Sequence, residues 1–331
     1  MREGALRRWL GDAWSFDPVG AGVRVVAIVA SIAVGMASAR PLIGILAAAG
    51  AYTVGFGASL DLRGSKPLLL VAASIGIGAF ALAGSLAGSH IASAVVFATA
   101  LGLAYGRVSF FGPSPAWIAL RCGLAGLVAT GFPAPLRAAA LRALPIVVGG
   151  LAQASVLSLA SSPRRPSAPA PTTGPFALDY GIELAIGLGA AVGVEHVLGV
   201  RNGYGYGYWV PMTTLLVLRV DGQQTMVRAV ARVGGTIGGA GLASVVLLLL
   251  HPPLPVLVFL VALAAFGSYA FQTATYGVFA ACATMYIVFI LSLAGLPEGA
   301  VAVTRIVATA IGGAIALSVQ GAGWLLRRSM A

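Results

Sequence analysis

Apolar segments close to membrane-spanning length follow one another along almost the whole chain, and this succession restricts the fold most tightly. Runs at 23–39, 42–59, 65–88, 90–106, 114–131 and 140–160 precede a break, and further runs near 178–199, 206–219, 229–250, 253–271, 275–295 and 300–322 follow it. Crossing a bilayer's hydrocarbon takes ~20 apolar residues of helix. Of the 331 residues 59% are hydrophobic and 9% charged, against about 25% charged in soluble domains. That charge cannot coat a water-soluble surface. The predicted fold is therefore an all-α polytopic integral membrane protein of about twelve transmembrane helices.

The break divides the chain. Residues 161–176 carry five prolines among small polar residues and Arg164-Arg165, the composition of an extended linker on the cytoplasmic side. The two flanking halves match. At an offset of 160, Thr53 meets Thr213, Asp61 meets Asp221, Ile75-Gly76-Ile77-Gly78 meets Gly235-Thr236-Ile237-Gly238, and Cys122 meets Cys282. Later the offset becomes 163, where Arg142, Gly149-Gly150 and Ser155-Val156 meet Arg305, Gly312-Gly313 and Ser318-Val319. Six helices per half keep both halves in one orientation, so the expected layout is two parallel six-helix repeats. The domains are then a basic cytoplasmic lead-in (1–22), a first repeat (23–160), the linker (161–176), a second repeat (177–326) and a cytoplasmic tail (327–331). Ala37-Ser38-Ala39 imitates a signal-peptidase site, but the repeat needs the preceding helix as partner of 178–199, so cleavage is not expected.

Charge placement sets the expected topology. With the N-terminus inside and twelve spans, thirteen Lys and Arg fall on inner segments and five on outer ones, which satisfies the positive-inside rule with both termini cytoplasmic. The same rule accounts for most of the net charge of +11, and the arginines are scattered at segment ends, so nucleic acid is not an expected partner. The chain is not expected to be an enzyme or to hold a cofactor. Its single lysine, Lys66, is not part of a phosphate loop, and the histidines and cysteines lie too far apart for a metal cluster. Cys122 and Cys282, inside apolar segments, read as small helix-packing residues. Tyr52-Thr53-Val54-Gly55-Phe56-Gly57 imitates a potassium filter, but the second half lacks the matching glycines, so a glycine-softened helix end is expected instead.

Residues 204–241 concentrate the remaining signal. Tyr208 and Trp209 suit the headgroup level, an apolar run follows, and Arg219 and Asp221 mark an exit. Arg228 and Arg232 share one face of the next helix and can snorkel. Gly234, Gly235, Gly238 and Gly239 offer two overlapping small-xxx-small faces. With Thr213, Gly222 and Gly235-Thr236, this pattern resembles the core of the fusaric acid resistance-like (FUSC) and aromatic acid exporter families across 177–326. The resemblance implies efflux of small organic anions such as aromatic carboxylic acids from the inner, or plasma, membrane. It also implies a periplasmic adaptor partner, and leaves homo-oligomer formation open. The chain departs from larger members in lacking a soluble domain between its halves, and it has Ala308 where the family pattern places an acid.

Ionisable residues inside a membrane usually have work to do, because each costs free energy to bury. Arg121, with Trp117 one turn before it, Arg142 and Arg305 lie inside or at the ends of apolar segments, and guanidinium forks suit carboxylates. Together with Tyr208, Trp209, Thr213, Arg219, Arg228 and Arg232 they form the candidate substrate-binding set. The ordinary alternative for each arginine is snorkelling, or pairing with an acid such as Glu195. Glu183, near Asp179, and the Glu195-His196 pair are candidates for proton coupling, with interfacial solvation as the alternative. The expected function is efflux of small organic anions. A passive organic-anion channel and a non-transporting scaffold or accessory protein are the alternatives.

Overall fold

The computed structural model describes residues 17–58, 64–160, 177–197, 206–272 and 275–329. Residues 1–16, Asp61, Arg63, the linker 161–176 and Arg201 lie outside them; the expected lead-in (1–22) is shorter than predicted, because α1 begins at Pro18, capped by Asp17. Twelve α-helices, and no strand, occur among the described residues. Six precede the linker: α1 (Pro18–Ala37), α2 (Pro41–Gly55), α3 (Lys66–Ala87), α4 (Ile91–Val108), α5 (Pro113–Thr130) and α6 (Leu136–Ala160). Six follow it: α7 (Ala177–Val197), α8 (Trp209–Val217), α9 (Gly222–Leu250), α10 (Leu254–Ala270), α11 (Tyr276–Leu293) and α12 (Glu298–Ser329).

Local chemistry sets the helix starts. Proline occupies the first turn of α1, α2, α3, α5 and α10, where its missing N–H removes no helical bond and its fixed φ suits the turn. Asp17 caps α1 by accepting from the Gly20 N–H at 3.0 Å, and Asp221 caps α9 by accepting from Gln223 and Gln224. That cap gives Asp221 its role. Arg219 donates its guanidinium to the Leu216 carbonyl and its backbone N–H to Thr225 Oγ1.

Among the described residues seven helices are long and apolar enough to cross a membrane by length and composition, and the shorter α2 and α10 are also apolar. Helix α8 differs, for its nine residues span about 13 Å, under half the hydrocarbon thickness. The segment predicted at 206–219 is therefore a short 3-10 turn (Tyr206–Tyr208) and a half-length helix. Large apolar side chains cover the outside, including Leu68, Val96, Phe259 and Leu249 at 63–76% exposure, while arginine, threonine and glutamine side chains are buried within. That inversion of the soluble pattern identifies a multi-pass membrane protein.

Packing within the two sets of helices corresponds. Helix α1 packs on α2 and α6, α2 on α6, α3 on α5 and α6, and α4 on α5. Six helices on, α7 packs on α8 and α12, α8 on α12, α9 on α11 and α12, and α10 on α11. Between the sets, α4 packs on α7 and α10 on α1, again a matched pair.

Glycines make the closest seams. A Cβ at Gly149 would overlap the Ala47 carbonyl, and one at Gly50 the Ile146 carbonyl, locking α6 to α2. At the corresponding α12–α8 seam, Gly312 lies against the Val210 carbonyl, and Thr214 Oγ1 lies 3.1 Å from the Gly312 carbonyl as its donor. Cys122 and Cys282 are buried and free, each with its sulfur against a glycine, Gly76 and Gly267, as expected of packing residues. Of the two small-residue faces on α9, one is used. Gly235 and Gly239 lie on the Gly277 and Ala281 carbonyls of α11, whereas a Cβ at Gly234 or Gly238 would meet nothing within 4 Å. Alanine at Gly234 or Gly238 is thus expected to leave the melting temperature of detergent-solubilised protein unchanged or slightly raised, because alanine favours helix by about 1 kcal/mol. Alanine at Gly239 is expected to lower it, and scanning fluorimetry separates the two.

Candidate functional site

The candidate site is built where the end of α2 meets α5, α8, α9, α11 and α12. Arg305 on α12 is 1% exposed. Its Nε and Nη2 donate to Thr284 Oγ1 of α11 at 3.3 and 3.2 Å. Its guanidinium carbon stands 4.1 Å from the Trp209 ring centroid, a cation–π arrangement. The remaining nitrogen, Nη1, is buried with no protein partner. Arg232 on α9 is 3% exposed, its Nε likewise unpartnered, and it is near enough to Arg305 for the two charges to repel. Arg121 on α5 lies 4.5 Å over the Phe56 ring with its Nε unpartnered.

Aromatic residues join these cations. Tyr52 and Tyr286 stack at 3.9 Å with 14° between their planes, and Tyr52 is in electrostatic reach of Arg121, Arg232 and Arg305. Tyr269 donates its hydroxyl to the Tyr52 carbonyl at 2.7 Å; it can approach so closely because residue 55 is glycine, where a Cβ would strike the tyrosine hydroxyl. Arg228 lies 4.9 Å over Tyr276 at the edge of the cluster.

The chemistry of this set is one-sided. Its unpartnered buried atoms are guanidinium nitrogens, the Trp209 indole N–H, and the hydroxyls of Tyr52, Tyr286, Tyr276, Thr213 and Thr236. All can donate, and the cations and the indole can do nothing else. Two ion pairs form among the described residues, Arg24–Asp17 and Arg327–Glu183, and neither includes Arg121, Arg232 or Arg305. A buried donor without an acceptor costs about 1–3 kcal/mol, and a charge at membrane depth about 3 kcal/mol on insertion scales. The group such a set can hold is an anion of acceptor oxygens.

The sequence-predicted residues divide accordingly. Arg121, Arg232, Arg305, Trp209 and Thr213 come together, with Tyr208 beside Trp209 at 4.4 Å between ring centroids. Arg232 does not snorkel, because its face of α9 packs inward. Tyr208 and Trp209 are 2% and 4% exposed, set inside the bundle because the half-length α8 begins there. Arg219 and Arg228 lie at one edge, half-buried and mutually repelling. Arg142 is exposed and donates to the Phe132 carbonyl at 3.0 Å. It is linked to the cluster through Phe132, whose ring is 5.4 Å from Tyr208. Glu183 is buried but accepts from Arg327 at 2.6 Å. Glu195 is buried beside Gly207, and with the exposed His196 it lines a cavity of about 10 Å³.

Sequence reasoning missed Tyr52, Phe56, Tyr269, Thr284 and Tyr286. A signal existed for the tyrosines, since a hydroxyl inside an apolar span needs a partner as a charge does.

The family model described as "Fusaric acid resistance protein-like" matches residues 167–319, taking in α7 to α11 and most of α12. Over those residues the chain is similar to that family. Within the FUSC match lie Trp209, Arg232, Thr284, Tyr286 and Arg305, whereas Tyr52, Phe56 and Arg121 come from outside it. Comparison with curated proteins and with solved structures gives no match.

Proposed function

We propose that this chain is a FUSC-type membrane transporter that moves small organic anions, aromatic carboxylates foremost, outward across the inner membrane along a route through the Arg121–Arg232–Arg305 cluster. One observation carries the reading: three guanidiniums sit in a water-poor interior surrounded by donors, with no carboxylate of the described chain paired to any of them. A carboxylate offers two acceptor oxygens to such forks, and an aryl group suits the neighbouring rings of Trp209, Phe56 and Tyr286.

The corresponding packings of α1–α6 and α7–α12 support two like-oriented repeats, and the balance of inner and outer arginines supports cytoplasmic termini. Arg219 and Arg228 would gather anions at the inner mouth. The anion would next meet Arg121 and Arg232, then Arg305, while one half rocks against the other. Burial of Arg232 and Arg305 favours a carrier opening one side at a time over a continuously open pore.

Proteoliposomes loaded with labelled benzoate test the reading. Reconstituted protein is expected to release benzoate well above empty-vesicle leak, and faster than acetate. Release of neither benzoate, acetate nor malate above that leak would remove the proposal.

A further inference from the structure

The stacked pair Tyr52–Tyr286 bridges the two halves of the chain. Tyr52 belongs to α2 and Tyr286 to α11. Their rings lie nearly parallel at 3.9 Å; the Tyr286 hydroxyl is buried without a partner, and the buried Tyr52 hydroxyl has only the Ser268 side chain beside it. On one side Tyr52 packs edge-on to Phe56 at 5.0 Å, the ring that carries Arg121. On the other, its ring lies against that of Tyr286 on the helix whose Thr284 holds Arg305. Tyr52 itself is in electrostatic reach of both Arg121 and Arg305, and Tyr286 is stacked against it.

The backbone beneath Tyr52 is tied down while its hydroxyl is not. The Tyr52 carbonyl accepts from Tyr269, and the Phe56 carbonyl accepts from Gln272 Nε2 at 3.2 Å. A phenol on an anchored backbone moves by changing its Cα–Cβ rotamer, a motion that needs no helix to shift. Its hydroxyl then has two states: stacked beside Ser268, or swung out and donating to an acceptor beside it. An anion passing from Arg121 toward Arg305 supplies that acceptor.

We propose that Tyr52 and Tyr286 form a gate between two anion stations, Arg121 and Arg305, and that their hydroxyls carry the carboxylate across the gap; the inference rests on the transport reading above. Closed, the stack blocks the route with apolar ring faces. Open, it presents two donors that are satisfied only while an anion is between the stations. Selectivity follows, because a solute without acceptor oxygens gains nothing from parting the rings.

Benzoate flux in proteoliposomes and benzoate affinity in detergent, read by intrinsic tryptophan fluorescence, test the gate through three variants. Tyr52→Phe and Tyr286→Phe keep the stack and remove one hydroxyl each, so flux and affinity are each expected to fall about tenfold, the scale of one hydrogen bond to a charged group. Tyr286→Ala removes the barrier and is expected to raise chloride leak severalfold. Wild-type flux and affinity in both phenylalanine variants would overturn the hydroxyl transfer, and unchanged chloride leak in Tyr286→Ala would overturn the barrier. If these tyrosine results fail while Arg305→Ala still loses benzoate flux, the gate alone is wrong. If the unaltered protein neither binds nor moves benzoate, gate and transport reading fall together.

Discussion

Arg305→Ala is expected to cut benzoate flux by about 100-fold or more while leaving the protein at least as stable as before. Arg305 is the most buried of the cluster's cations, and its fork is already aimed: Thr284 takes two of its nitrogens, Trp209 takes its face, and Nη1 is left over. Truncating one partner of a buried, hydrogen-bonded charge pair costs about 3–5 kcal/mol, and each 1.4 kcal/mol is a factor of ten. The apo protein gains from the change, because a desolvated charge that repels Arg232 is gone. Flux and melting temperature should thus move apart, which simple misfolding cannot produce. Arg305→Lys keeps the charge but loses the fork and the planar stack on Trp209, so an intermediate loss of about tenfold is expected. Wild-type benzoate flux in Arg305→Ala would take this residue out of the route.

Gly149→Ala is expected to destabilise the protein by roughly 3 kcal/mol, although the same change at an open helical position is favourable by about 1 kcal/mol. The sign reverses because the new Cβ would fall on the Ala47 carbonyl, and the helix facing it returns the contact from Gly50 to the Ile146 carbonyl. Both obstacles are backbone, so no side chain can turn aside and α2 must move off α6. Helix α2 carries Tyr52 and Phe56, so anion binding should weaken along with stability. Thermal unfolding in detergent, with Gly234→Ala as the control, reads the effect. An unchanged transition would mean that this seam is looser than the geometry requires.

The sequence showed the helices well because proline, Asp17 and Asp221 act locally, and because long apolar runs in lipid have one way to satisfy their backbone. It was less informative about lengths. Helix α12 continues to Ser329, past the predicted end near 322, because Arg327 reaches back to Glu183. Helix α8 is far shorter than its apolar run, since hydropathy does not report where a chain turns inside a protein. For the site, arginine was a legible signal and tyrosine a neglected one. Arg142 and Arg305 match in the repeat, yet one is exposed and the other 1% exposed, for residues at equivalent places need not share a neighbour.

By composition and hydrophobic period alone, the chain was bound to be a bundle of membrane helices, with its glycines available for close contact and its few charges expensive wherever they sank. Which charges sank, and against what, was decided only when α2, α5, α8, α9, α11 and α12 converged. Burial and partnership depend on residues distant in the chain. Arg305, Thr284, Trp209 and Tyr52 have no common local pattern, and only the packing of the helices makes them a site.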